Sequence, residues 1–323
     1  MFPDMEITRR NLIRAAAIGG VAAPLIGVAA PPARAATPSS TIDIISDIQG
    51  STGNSRLRDK VIPFFNGRSV PGKALVTNGD LVAGGSTGEW QAYETALNAN
   101  GGHDSGLVIP VMGNHEYYGS AGSDTYKSRF LAHAKRSTVW TEKVVGGLPL
   151  LVLGSERYDY TDKTGAPPFV TFSETQLDWF EARMRYWKSR NTPALIFTHN
   201  VLPNSVTGTH VRFYRNDFGE YTERFKSLLQ LHPRSILFTG HTHWSLRDPK
   251  WAVYYNIGGG KQIRIINTGS LANYYVASGS DGEKPGSGAY AAGLRVHRYS
   301  DHFVIEAWDF LAGTLISSFK HGA

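Results

Sequence analysis

The sequence predicts a layered α/β fold of two sheets, and three observations carry that reading. Strand-like apolar runs alternate with amphipathic segments through the first half of the chain, the pattern of parallel strands joined by helical crossovers. From residue 251 onward strand-like segments follow one another with little helix between them, which predicts a second sheet packed on the first. Several runs also stop abruptly in polar residues, and open α/β sheets bind ligands at such strand ends. With 323 residues, 41% hydrophobic and 19% charged, the chain is long and apolar enough to bury a full core.

Taken in order, residues 36–40 read as a linker and 41–46 (Thr-Ile-Asp-Ile-Ile-Ser) as a first strand ending in Asp47-Ile48-Gln49-Gly50. A helix over 56–66, interrupted by Pro63, leads to a strand at 74–77 ending in Asn78-Gly79-Asp80. A helix over 89–98 precedes the apolar run 107–112, which delivers Gly113-Asn114-His115-Glu116. Residues 124–134 can be helical, and 137–145 with 148–153 flank Gly146-Gly147 as a hairpin. Ser173 and Gln176 form a capping-box start for a helix to residue 190, with Leu177, Phe180 and Met184 on its apolar face. The strand at 194–198 ends in His199-Asn200, and 235–239 ends in Gly240-His241-Thr242-His243-Trp244. Between them, 204–217 has no clear period and reads as a surface loop, and 221–231 as a helix. Strands follow at 251–255, 262–267, 292–298, 302–308 and 314–318. There is no internal repeat and no domain boundary after residue 40, so 41–323 reads as a single domain.

The first 35 residues have a different character. Thr8-Arg9-Arg10-Asn11-Leu12-Ile13-Arg14 precedes an Ala/Gly-rich apolar segment broken by Pro24. This resembles a twin-arginine (Tat) export signal, and Ala33-Arg34-Ala35 supplies the small-x-small pattern of a cleavage site, placing the mature start near Ala36. The resemblance implies the Tat export machinery as partner of the precursor and a periplasmic or secreted destination. The other reading is a membrane anchor, for which the segment is short and weakly hydrophobic. Of the formal net charge of +6, +2 lies in this leader, and no long run of Lys and Arg follows it; nucleic-acid binding is not expected. The chain has no cysteine, which removes disulfides, thiolate nucleophiles and Cys metal sites and leaves His, carboxylate and amide ligands.

Collected together, the strand ends hold Asp47 and Gln49, Asp80, Asn114 with His115, His199, and His241 with His243. Setting His115 aside, these are two carboxylates, two amides and three imidazoles, enough donors for two divalent transition ions. Residues i and i+2 leaving a strand point the same way, so Asp47 pairs with Gln49 and His241 with His243. The remaining histidines, His103, His133, His210, His232, His297, His302 and His321, have no such context and read as surface or core.

In this order the blocks Asp47-Ile48-Gln49, Gly79-Asp80, Gly113-Asn114-His115-Glu116, Thr198-His199-Asn200 and Gly240-His241-Thr242-His243 resemble those of the calcineurin-like metallophosphoesterases, across roughly residues 41–275. The resemblance implies that family's αββα two-sheet sandwich and a phosphoester substrate. It implies one metal held by Asp47, Gln49, Asp80 and His243, and a second held by Asp80, Asn114, His199 and His241. Mn, Fe and Zn are the candidate ions. In such a pair, ions about 3.5 to 4 Å apart bind phosphate oxygens and turn a bridging water into hydroxide. His115 would stabilise the transition state and protonate the leaving alkoxide, its tautomer fixed by Glu116 or by a backbone carbonyl. The departure is Gln49, a neutral amide where the commonest pattern has His.

Tyr117, Tyr118, Trp244, Tyr274 and Tyr275 are candidates to line a substrate cleft, and the loop 204–217 with His210, Arg212, Tyr214 and Arg215 is the candidate for substrate selection; Asn267-Thr268-Gly269-Ser270 resembles a segment that in this family follows the last histidine block and closes the site. Phosphomonoesters and phosphodiesters both remain open. So do two other functions: a catalytically silent metal or phosphate binder of the same fold, and a single-metal amidohydrolase.

Overall fold

A computed structural model describes residues 37–160 and 166–322; the expected export signal and its expected cleavage site lie outside the described residues. Two six-stranded sheets form the body of this unit. The first has the order β14-β13-β12-β1-β2-β3 and the second β4-β5-β6-β7-β9-β8. In the first, β1 (Ser40–Ile45), β2 (Ala74–Thr77) and β3 (Val108–Pro110) are parallel. β12 (Ala292–Arg298) returns antiparallel to β1, followed by β13 (His302–Asp309) and β14 (Thr314–Gly322). In the second, β5 (Leu148–Val152), β6 (Leu195–Phe197), β7 (Ile236–Thr239) and β9 (Lys261–Asn267) are parallel, with β4 (Thr141–Val145) and β8 (Ala252–Gly258) antiparallel at the edges.

Alternation along the strands divides the core into three layers. Ile42, Ile44 and Val76 of the first sheet meet Leu150, Phe197 and Phe238 of the second between the sheets. Residues on the opposite face, Ile45 and Leu75, pack under α3 (Thr87–Asn98) and α4 (Ser123–Ala134) through Trp90, Tyr93 and Phe130. On the far side Leu151, Ile196 and Leu237 pack under α5 (Glu174–Ser189) and α6 (Tyr221–Leu229). The expected αββα sandwich follows from these three layers.

Most elements fall where the sequence places them, and the differences have local causes. The first helix begins at Gly50, six residues early, as α1 (Gly50–Arg56). A π-helical stretch Leu57–Val61 joins it to α2 (Ile62–Asn66), which accepts Pro63 in its first turn, where no N–H is needed. The capping box at α5 is only half made. Ser173 Oγ accepts from Gln176 N at 3.2 Å, but the Gln176 side chain is spent on Gly154, and Glu156 takes the Ser173 N–H instead. The strand-rich end of the chain does not form one separate sheet: β8 and β9 join the second, whereas β12 to β14 complete the first. Alternation tells which face a strand buries and not which strand it pairs with. A short hairpin, β10 (Tyr275–Ser278) and β11 (Gly282–Pro285), was not legible as strand. No helix among the described residues is long and apolar enough to cross a membrane.

Candidate metal centre

All seven candidate ligands come from loops that leave the C-terminal ends of parallel strands: Asp47 and Gln49 after β1, Asp80 after β2, Asn114 after β3, His199 after β6, His241 and His243 after β7. The turns are sharp. Asp47, Asp80, His241 and His243 all have left-handed backbone, with φ of 53°, 53°, 67° and 54°, a conformation that costs a non-glycine residue about 1–3 kcal/mol and is found where function over-determines it. The glycines of the blocks are explained by close approach. A Cβ on Gly79, itself at φ +87°, would stand 2.4 Å from His199 Nδ1, and one on Gly113 would stand 2.3 Å from Asp80 Oδ1.

Two donor groups share Asp80: Asp80 with His199 and His241, and Asp47 with Asp80 and His243, the ligand atoms of each lying within 4.8 Å of one another. Their orientation is fixed from behind. His199 Nδ1 donates to Asn78 O at 2.9 Å, and His243 Nδ1 lies 2.5 Å from Asn273 Oδ1, so both rings turn Nε2 inward. Asn114 donates its Nδ2 to the Tyr118 hydroxyl at 2.8 Å and leaves Oδ1 inward. Asp47 Oδ2 accepts from Ser46 Oγ at 2.5 Å and from His241 N at 3.2 Å.

Four of the inward atoms, Asp47 Oδ1, Asn114 Oδ1, His199 Nε2 and His241 Nε2, are buried without a hydrogen-bond partner. His199 Nε2 lies 3.1 Å from Asp80 Oδ2 and Asp47 Oδ1 lies 2.9 Å from His243 Nε2, close enough for ion pairing but not aligned as hydrogen bonds. Buried polar atoms are almost always paired, and a converging set of unpaired oxygen and imidazole donors fits divalent cations.

The electrostatics agree with that fit. Burial works against a charged His199, yet the Asp80 and Asp47 carboxylates outweigh it and raise its pKa to about 10. Burial likewise opposes ionisation of Asp80, but His199 and His115 hold it well below the usual carboxylate range. His241 is kept neutral, its pKa pushed well down by burial and by the neighbouring His199, as a ligand requires. The pocket thus stabilises positive charge between its two carboxylates.

Gln49 enters as a donor, its Nε2 giving a hydrogen bond to Asp80 Oδ2 at 2.7 Å; ligation requires the amide to turn its oxygen inward. Glu116 does not touch the His115 ring. It accepts from the backbone N–H groups of Leu81 and Gly113 at 2.6 Å each and of Asp80 at 3.2 Å, tying the loops after β2 and β3 together. Burial and then the Asp80 charge push its pKa up to about 8, against those N–H groups. The tautomer of His115 is set by the Ala83 carbonyl, 2.9 Å from Nδ1. Its Nε2 faces Asp80 Oδ2 at 3.9 Å, and the side chain is 28% exposed.

The centre opens into a cleft of ≈ 470 Å³ lined by Tyr118, Phe213, Tyr214, Tyr275, Asn273 and Glu283 besides the ligands. Of the aromatic residues expected there, Tyr118 and Tyr275 line it. Tyr117 is buried with its hydroxyl on Ser155 O, Trp244 is buried and donates to Glu283 at 2.7 Å, and Tyr274 faces a separate depression. From the loop 204–217 only Val211, Phe213 and Tyr214 reach the cleft; Arg215 pairs with Asp281, and His210 packs edge-on against Trp244. Ser270 Oγ lies 3.4 Å from His243 Nδ1, so the segment 267–270 does close the back of the site. The other histidines lie elsewhere; His103 and His297, for example, are tied to Asp43 and to Thr41.

Asn273 and Glu283 lie outside every expected site segment, and Asp217 closes the expected loop 204–217 without being singled out in it. Asp217 is buried, accepts from Asn200 Nδ2 at 2.7 Å and Val201 N at 2.6 Å, and stands 3.9 Å from His241 Nε2. Burial raises its pKa to about 7 despite those two bonds. No short-range signal marks these residues, because loops far along the chain bring them in.

Residues 40–245 match the family model of calcineurin-like phosphoesterases. The chain belongs to that family. It is a metal-dependent phosphoester hydrolase. Among solved structures it is similar to a dimetal phosphatase from Danio rerio, at 15% identity over 88% of this chain and 99% of that one, with a TM-score of 0.60. It also aligns with a protein of Streptococcus pneumoniae TIGR4 named as a predicted phosphoesterase (12% identity, 88% and 98% covered, TM-score 0.39). A third alignment is to Vps29 of Entamoeba histolytica complexed with zinc (11% identity, 87% and 98% covered, TM-score 0.32). At these identities the likeness is one of fold, and the Danio rerio alignment alone of the three is close enough in shape to bear on it. No curated protein matches the chain by sequence.

Proposed function

We propose that the protein is an exported two-metal phosphoester hydrolase, with Asp47, Gln49, Asp80 and His243 holding one divalent ion and Asp80, Asn114, His199 and His241 the other. The observation that carries this reading is the set of four buried, unpartnered donor atoms around a shared Asp80. When bound, such ions neutralise phosphoryl charge and lower the pKa of water to near neutrality.

The chain's own residues supply the rest. His115, anchored through Nδ1 on Ala83 O, holds a proton on Nε2 and gives it to the departing ester oxygen as the P–O bond breaks. Its Nε2 lies 3.9 Å from Asp80 Oδ2, and the partial exposure of the ring lets it exchange its proton with solvent. Tyr118 packs on the His115 ring at 4.2 Å between centroids and limits its rotation. Phe213, Tyr214 and Tyr275 form the wall against which the leaving group rests.

Chelation followed by stepwise return of Mn²⁺, Zn²⁺ or Fe²⁺ tests the reading. Hydrolysis of aryl phosphates should vanish and recover, with two ions bound per chain at full activity. Turnover indifferent to metal, or complete with one ion, overturns it. For export, replacing Arg9 and Arg10 by Lys should retain the precursor in the cytoplasm; unchanged export removes the twin-arginine assignment.

A further inference from the structure

We propose that Asp217, which lies in none of the five sequence blocks, is a positioning carboxylate of the metal centre that supplies negative charge to the ion held by Asp80, His199 and His241. The inference rests on the two-ion reading and extends it to a residue outside the ligand set.

Asp217 follows the 3₁₀ turn Arg212–Asn216, so its place beside β6 and β7 comes from tertiary packing. Its Oδ2 accepts from Val201 N at 2.6 Å, and its Oδ1 accepts from Asn200 Nδ2 at 2.7 Å. The same Oδ1 stands 3.9 Å from His241 Nε2. That nitrogen is buried and has no hydrogen-bond partner, so the ring edge available to an ion is the edge that faces Asp217.

Charge makes the carboxylate matter. Asp47 and Asp80 are the only anions in the two donor groups, and Gln49, Asn114 and the imidazoles add none. Two divalent ions therefore leave a buried surplus of positive charge, which is costly in a desolvated site. Glu116 is turned toward backbone N–H groups on the Asp80 side. Asp217 serves the opposite side, at His241. A loop clamp through Asn200 and Val201 explains its hydrogen bonds, but not why an ionisable group stands opposite an unpartnered imidazole nitrogen.

The clamp and the charge can be separated. Asp217→Asn removes the charge and keeps an oxygen for Val201 N, whereas Asn200→Ala breaks the side-chain clamp and keeps the charge. The full chain, stripped with chelator, is titrated with Mn²⁺ by calorimetry, and bound metal is counted by elemental analysis. Asp217→Asn should weaken one of the two binding steps by about 10- to 100-fold and leave the other in place, while Asn200→Ala leaves both close to wild type. Asp217→Glu, which restores the charge, should recover much of the lost affinity; it and Asp217→Ser serve as the pair if the Asn variant does not fold. Unchanged affinities in the uncharged variants, or an equal loss in Asn200→Ala, overturn the proposal. A wild-type protein that takes up fewer than two ions overturns the two-ion reading itself, and is told apart from the other failures by being seen before any substitution.

Discussion

Asp43 lies within β1 and Asp47 just past its end, four residues apart, both fully buried, and each stands against an imidazole nitrogen. Around Asp43 everything is paired. Its Oδ1 takes Arg295 Nε at 2.7 Å, its Oδ2 lies 3.0 Å from His103 Nε2, and His103 Nδ1 and Arg295 Nη2 end on Ser105 Oγ and Val70 O. Around Asp47 and Asp80 the donors face one another with four atoms unpaired, on backbone held left-handed. Burial and charge are common to both clusters. Unsatisfied donors and strained backbone belong to one, and they separate a site built to receive a cation from an ion pair that is complete by itself.

The largest test of this contrast is Asp80→Ala, which should lower kcat by about four decades or more by removing the shared ligand, with metal content falling in parallel. A variant that keeps two ions and normal turnover erases the distinction between the clusters. His115→Ala should lower kcat by about 10²–10⁴ at full metal occupancy, measured on the same preparation by elemental analysis; loss of metal instead would make it a ligand. Arg295→Met works on the other cluster. Leaving Asp43 buried with its main partner gone should cost about 3–5 kcal/mol of stability, read from denaturant unfolding of the chelated protein, with metal affinity of the folded fraction unchanged. Coupling of that loss to metal binding would mean the two clusters are one network. The smallest effect is expected from Gln49→His, which exchanges a neutral amide for imidazole and should tighten one binding step by about tenfold, the low end for an altered metal environment; weaker binding would show that Gln49 acts by its hydrogen bond to Asp80 Oδ2.

Legibility in the sequence follows the same contrast. Asp47, Asp80, Asn114, His199, His241 and His243 were legible because each follows a short apolar strand inside a recognisable block, and parallel strands present their ends on one edge. His103 was legible as ordinary for the opposite reason, lacking any such context. Glu116 and the Ala83 carbonyl were both open as partners of His115, and only the folded loops decide for the carbonyl. The hairpin at 275–285 is not legible because Gly-Glu-Lys-Pro is poor in strand formers and Tyr-Val-Ala-Ser is too short to show alternation, and its pairing and its link to Trp244 depend on contact.

By itself the sequence determined the layered α/β class, the position of nearly every strand and the residues gathered at the strand ends, since these follow from local periodicity and block order. The three-dimensional structure decided that β12 to β14 return to β1, that Gln49 donates to Asp80, and that Asp217, Asn273 and Glu283 reach the site. The physical reason is that strand partners and side-chain orientation arise from packing between distant segments, for which a linear pattern of apolar and polar residues carries no code.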